Sequence, residues 1–496
     1  MSRIPARRPR DQEDLHIEAE LRDSDGHVLA SGVPCKVFLP QKPGEMPYIE
    51  FLPSLQQYKA VERQLSVAFH AEHHDSADQC HSLDAEQLFL VNRSQRLSEG
   101  VGAVTLDGVA ERLLEVQTFQ RDGTDELGDL FFQLSPNELL RPGHVPTLHQ
   151  DGTVEIHRMA LDTFELLPRV KIQFDEHVRY RNEQTGDERR TYVVPELVVT
   201  VEKPAPALAF DEIEKELRPA LDDFLLLASL ATDCRTACMG WQYVGGNRYV
   251  REYSGNFGFP SGEKESHFHF GLIDPPRRAL FLREAWTNFR KSPDQAILRT
   301  AIWILVPGGQ RSLETGFLAK FAVLEGLLDL QAKTSGRETV ISRADWNDLL
   351  PVLQEAIESA RIDTPAEHAA QLRETLKEKL PELNRPRPRA SFDAFCRETA
   401  LDVSDLWIAF GSDAHSGLYQ IRNKLIHGFA VPVEAEDALF VAEQHLHWTV
   451  ARMLLRILNW DVNDSGVRFG SENLSLQPRA RDMAQEQMAD GLRRRP

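Results

Sequence analysis

Residues Leu418-Tyr419-Gln420-Ile421-Arg422-Asn423-Lys424-Leu425-Ile426-His427-Gly428 set the reading of the chain. Leu418, Ile421 and Leu425 recur at steps of three and four, the period of a helix with one buried stripe. Gly428 suits the left-handed position just past a helix end, so His427 falls in the last turn. Asn423 and His427 stand four apart and share a face. Arg422 lies further round, but its long side chain reaches the same end. An imidazole titrates near neutral pH and can move protons. A guanidinium is a permanent cation with a bidentate fork. The same two residue types also serve as ordinary caps at helix C-termini, so the cluster alone does not define a site.

Outward from that stretch the helical period continues, through 278–290, 293–305, 311–331, 345–360, 365–378, 392–399 and 434–460. Residues 384–389, with Pro386 and Pro388, read as a stiff, basic, non-helical connector. Before Pro206 the pattern is β. Strands are expected at 16–21, 36–39, 65–69, 113–119, 153–159, 170–174 and 191–201, separated by polar turns such as Asp23-Ser24-Asp25-Gly26 and 182–186. Between the two regimes, 210–230 has helical spacing. Trp241 to Val244 and Arg248 to Val250 flank Gly245-Gly246-Asn247, a hairpin signal, and His267-Phe268-His269-Phe270 suggests one more strand. The expected fold class is α+β and multidomain: a β-rich sandwich- or barrel-like domain followed by an all-α bundle. The expected boundaries are a disordered basic lead (1–11), a β-rich domain (12–205), a helix-plus-hairpin connecting region (206–294), a helical domain (295–475) and a charged, frayed tail (476–496).

The chain has 496 residues, room for two to four domains at roughly 100–200 residues each. It holds 57 Lys+Arg against 76 Asp+Glu, a formal charge of −19, which excludes a globally basic nucleic-acid coat but not a local basic groove. Five cysteines, an odd and sparse set, suggest a reducing compartment and so the cytoplasm. No window carries the roughly 18 apolar residues of a membrane span. The arginines of the first ten residues are followed by acidic residues rather than an apolar segment, so no secretory signal is expected.

The Arg422-Asn423-x-x-x-His427-Gly428 pattern resembles the R-x4–6-H motif of the HEPN superfamily, with its polar residue after the Arg and Gly after the His. Phe317-Leu318-Ala319-Lys320-Phe321-Ala322-Val323-Leu324-Glu325-Gly326-Leu327-Leu328 resembles the helix that precedes the motif in ApeA-like HEPN proteins. The two segments lie about a hundred residues apart, and a long apolar helix follows, which is the order of that family's helical core. The resemblance covers roughly residues 295–460. It implies a HEPN bundle that dimerises through facing motif helices, and a metal-independent, cofactor-free endoribonuclease acting on RNA, tRNA or mRNA. Many such proteins act in anti-phage or abortive-infection defence. The β-rich domain would then be a sensor, open to a phage-derived trigger. Carried over by position, Arg422 and His427 are the catalytic pair and Asn423 a polar helper. Glu325 would pair with Arg422 or orient His427. Lys424 and the connector arginines Arg385, Arg387 and Arg389 are candidate phosphate contacts, and solvated surface residues otherwise. A second reading makes the bundle a non-catalytic dimerisation or nucleotide-binding module.

Other clusters rank lower. His70, His73, His74, Cys80 and His81 are close in sequence but fit no familiar zinc spacing, so no metal is expected. Cys234 and Cys238 read as small core residues four apart on a helix rather than a redox pair. Gly308-Gly309 lacks the Lys-Ser/Thr of a phosphate loop, and no Gly-x-Ser-x-Gly elbow occurs.

Overall fold

The computed structural model describes residues 14–40, 46–76, 79–98, 101–119, 128–142, 144–148, 154–158, 162–185, 188–202, 212–245, 248–255, 271–306, 312–361, 365–411, 417–428, 430–462 and 477–493. The expected basic lead and the strand at His267–Phe270 lie outside them. Two units are present, one taking in Met1–Gly271 and the other most of Leu272–Pro496.

The first unit begins with β1 (Asp14–Arg22) and β2 (Val28–Phe38). The Asp23 carboxylate closes their turn by accepting the backbone N–H groups of Asp25 and His27, both at 2.9 Å. There follow β3 (Tyr48–Phe51), the short helix α1 (Leu55–Val61), β4 (Ser66–Ser76), β5 (Gln79–Ser98) and β6 (Val101–Ala110). Their antiparallel order is β5-β4-β1-β2-β3-β6, and β6 pairs back onto β5, so six strands close a barrel. Closure removes the exposed edges that an open sheet would present. Alternate residues fill the inside, among them Leu21, Val33, Val37, Ile49, Phe51 and Leu88, and α1 adds Val61.

The twenty residues of β5 serve two neighbours. Its later part pairs with β6, while Gln79 to Asp84 pair with β7 (Arg112–Phe119). From β7 an open antiparallel sheet continues. Its strands are β8 (Asp129–Leu134), β11 (Thr163–Leu167), β12 (Val170–Thr185), β13 (Glu188–Val201), β14 (Cys238–Gly245) and β15 (Arg248–Ser254). Their order is β7-β15-β14-β8-β13-β12-β11. A separate pair, β9 (His144–Leu148) and β10 (Val154–Arg158), stands outside this sheet. Helix α2 (Arg218–Thr232) covers one face and sets Phe224 against Phe164 and Phe174, at 5.2 and 6.1 Å between ring centres.

Three expectations are corrected here. The 238–254 hairpin is no connector: it lies inside the sheet, between β8 and β7, and the second unit starts at Leu272. Its partner strands lie about a hundred residues away in sequence, beyond the reach of local pattern. Asn182 to Thr185 extend β12 instead of forming a turn. Cys234 and Cys238 are not on one helix, since Asp233 ends α2 with a left-handed backbone and Cys238 opens β14.

The second unit is helical: α3 (Pro275–Lys291), α4 (Gln295–Leu305), α5 (Leu313–Thr334), α6 (Arg343–Ser359), α7 (Ala366–Lys379), α8 (Pro388–Glu398), α9 (Leu418–Ile426), α10 (Glu436–Ile457) and α11 (Pro478–Arg493). Helix α5 is the hub, packed by α4, α8, α9 and α10. It buries Phe317, Phe321, Leu324, Leu327 and Leu328 at helical spacing, and α10 answers with Leu439, Ala442, Leu446, Val450 and Leu454. Two more expectations change. The basic connector is partly helical, because Pro388 can take the first position of α8 and start it. The charged tail forms α11, which buries Ala484 and Met488, one turn apart, and packs on α10. Among the described residues no helix is long and apolar enough to cross a membrane.

Candidate active site on the motif helix

Helix α9 is short, and its ends are well defined. Gly417 donates its N–H to the Gln420 side chain at 2.8 Å, and Leu418 and Ile421 are fully buried. At the other end His427 is the cap residue; its N–H reaches the Asn423 carbonyl at 3.1 Å. Gly428 follows at φ +80°, a conformation that costs a side-chain-bearing residue more than glycine. Lys424, Ile426 and His427 lie on the exposed side.

Arg422 is held from three directions. One terminal nitrogen donates to Glu325 Oε2 of α5 at 3.2 Å, and the other to Asn423 Oδ1 at 3.0 Å. Its guanidinium carbon lies 5.9 Å from the ring centres of both Phe321 and Tyr419. The Arg422 and Glu325 side chains remain 27% and 33% exposed, so the pair is only partly desolvated. A guanidinium has five N–H donors. Two are used among the described residues, which leaves others for an anion. The ring of His427 has no hydrogen-bond partner among the described residues. The fold thus gathers Arg422, Asn423 and Glu325 into one constellation, with His427 at the end of the same helix. Of Glu325's two expected roles, the contact it makes is with Arg422.

Arg385, Arg387 and Arg389 are exposed at the start of α8, and Arg389 stands 3.9 Å from Asp393. A run of rings joins α8 to the motif helix: Phe392 to Phe410 at 5.6 Å, Phe410 to Tyr419 at 5.4 Å and Tyr419 to Phe321 at 6.1 Å. Phe321 and Tyr419 were not legible as site residues, because an aromatic at helical spacing reads as core.

A second polar cluster joins α5 to α10. Lys320 pairs with Glu443, whose other oxygen accepts the Gln444 amide at 2.9 Å. Burial, reinforced by the Lys320 ammonium, pushes the nearby His447 imidazole down to about 3, so it is neutral.

In the barrel, His70, His81 and Cys80 of the cluster considered for zinc have other partners. His70 Nδ1 lies 2.5 Å from Asp84, His81 Nε2 lies 3.0 Å from Glu115, and the Cys80 thiol donates to Glu72 at 3.0 Å. Among the described residues, ligand atoms converge only at Asp23, Asp25 and His27, in the β1–β2 turn, where Asp23 already accepts backbone N–H groups. Burial pushes the thiols of Cys35 and Cys238 up to about 12, so neither is a ready nucleophile.

No family model, curated protein or solved structure matches the chain.

Proposed function

We propose that this chain is a metal-independent endoribonuclease of the HEPN type, an ApeA-like defence effector of the bacterial cytoplasm that works as a homodimer. The observation that carries this reading is Arg422, fixed by Glu325 and Asn423 yet a quarter exposed, on the helix that ends in an exposed His427. The Arg422 side chain keeps donors that neither Glu325 nor Asn423 uses. A group that must grip a phosphate needs them.

In this mechanism His427 takes the proton from a ribose 2′-OH, and the 2′-oxygen attacks the adjacent phosphorus. Arg422 offsets the charge that builds on the phosphorane oxygens. The 5′-oxygen leaves with a proton from an acid, which a second copy of the motif helix supplies when two helices face each other. The products are a 2′,3′-cyclic phosphate and a 5′-OH. Asn423 positions Arg422. Lys424 and the arginines at 385, 387 and 389 extend the phosphate contact along tRNA or mRNA. The β-rich unit serves as the sensor for a trigger.

The ion pair between Arg422 and Glu325 also ties α9 to α5, and this favours a second reading, a non-catalytic dimerisation or nucleotide-binding bundle. Mapping of cleavage ends separates the two. A chelator leaves the proposed activity intact, and 5′-OH ends appear. Ends bearing 3′-OH and 5′-phosphate would contradict the mechanism.

A further inference from the structure

We infer that Phe321 and Tyr419 are positioning residues that hold the Arg422 guanidinium in its working orientation without cancelling its charge. The inference deepens the reading above and rests on it for its catalytic consequence.

The argument starts from what each neighbour of Arg422 does to the cation. Glu325 orients it but also neutralises it, and an incoming phosphate must compete with that carboxylate. Asn423 orients one terminal nitrogen through a neutral amide oxygen. The two rings act differently. An aromatic face attracts a cation through its quadrupole, within roughly 6 Å of the ring centre, and carries no net charge. Both ring centres stand 5.9 Å from the guanidinium carbon, inside that reach.

The rings are themselves fixed. Phe321 is fully buried in the α5 core and stacks on Phe317 at 6.3 Å. Tyr419 leans on Phe410, which leans on Phe392 of α8. A chain of packed rings therefore ends at the arginine. With two terminal N–H groups on Asn423 and Glu325 and the plane of the cation restrained, its remaining donors have a defined direction. Preorganised donors of this kind do not have to reorganise as charge builds in the transition state. Lysine could not replace Arg422 here, since it has neither the plane nor the fork.

The test uses the full-length protein as wild type, Tyr419→Phe, Tyr419→Leu and Arg422→Lys, each checked by circular dichroism. The first readout is the Arg422 Nε–H resonance, identified by its loss in Arg422→Lys. The wild type should show it ordered, while an exposed arginine such as Arg389 is mobile. Tyr419→Phe should keep that order and Tyr419→Leu lose it. Equal mobility of Arg422 and Arg389 in the wild type would overturn the inference without any variant, so a Tyr419→Leu that fails to fold does not shield it. The second readout is cleavage of a single-stranded RNA. Tyr419→Leu should lower kcat about tenfold with KM nearly unchanged, and Tyr419→Phe should stay within about twofold of wild type. Cleavage by Tyr419→Leu at the wild-type rate would overturn the positioning role while leaving the ribonuclease reading intact. An ordered Arg422 in a wild type that cleaves no RNA even when triggered would do the reverse, supporting the clamp and removing the ribonuclease.

Discussion

Glu252 in the sheet and Glu325 in the bundle each face an arginine, and the two arrangements are built in opposite ways. Glu252 is 1% exposed. It pairs with Arg112, takes Arg218 at 2.9 Å, and also accepts the Ser254 hydroxyl at 2.5 Å and the Trp241 indole N–H at 3.1 Å. Burial pushes its carboxyl up, but Arg218, Arg112 and Ser254 overcome that and hold it down at about 2. Glu325 and Arg422 share one hydrogen bond at a position about a third exposed, with donors left over. The closed network saturates the Glu252 carboxylate and ties the start of α2 to the sheet through Arg218, while Arg112, 53% exposed, also pairs with Glu214. The open one is where a ligand could enter. Saturation, more than the presence of an Arg–Glu pair, separates a structural tie from a candidate site.

The largest expected effect falls on the closed network. Glu252→Ala removes the buried carboxylate from Arg218, which keeps Asp222, and from Arg112, which keeps Glu214, and should cost about 3 kcal/mol of stability, read as a lower urea midpoint. A loss under about 1 kcal/mol would mean the network is less closed than it looks. Arg422→Ala should show the opposite profile: cleavage falls about 10²–10³-fold while the melting curve barely moves. A large drop in melting temperature with unchanged cleavage would turn the open pair into another structural tie.

A third, smaller effect comes from a half-buried ring of α10 near the Lys320 ammonium. His447 is neutral when folded, with its pKa at about 3 against 6.5 when unfolded. As pH falls below 6.5 the unfolded chain binds a proton that the folded chain refuses. Stability should therefore be fully present above pH 6.5 and fall by about 1.4 kcal/mol per pH unit below it, about 2 kcal/mol between pH 6.5 and 5. His447→Gln should flatten this limb between pH 6.5 and 5, above the window in which Glu252 is protonated. An identical acid limb in both proteins would contradict the assignment. The smallest effect is Glu325→Gln, which breaks a solvent-screened pair and should change stability by no more than about 1 kcal/mol. Its cleavage should fall less than that of Arg422→Ala.

The same contrast explains what could be read from the sequence. Most of the helices α3 to α10 were legible because they bury one stripe at a 3.6-residue period, as α10 does with Leu439, Leu446 and Val450, although α6 buries none of its residues. Closure of the barrel was not, since it depends on Tyr48–Phe51 of β3 pairing with Leu106–Val109 of β6, a long-range fact with no local mark. Helix α11 was hidden because two apolar contacts, Ala484 and Met488, anchor an otherwise polar segment. At the site, Glu325 was legible through a motif, whereas Phe321 and Tyr419 read as core packing and, in part, are. The partners of Glu252 come from β7, α2, β14 and β15, which only the fold brings together.

The central claim is that the open site on α9 cuts RNA. Its most direct test is sequencing of RNA ends after expression of the wild type beside His427→Ala, with a phage trigger co-expressed where the wild type is silent. The account predicts defined cuts with 5′-OH ends in the wild type, a loss of about 10²–10⁴-fold in the variant, and matching melting curves. Cuts of equal yield in both proteins, or none from a triggered wild type, would contradict it.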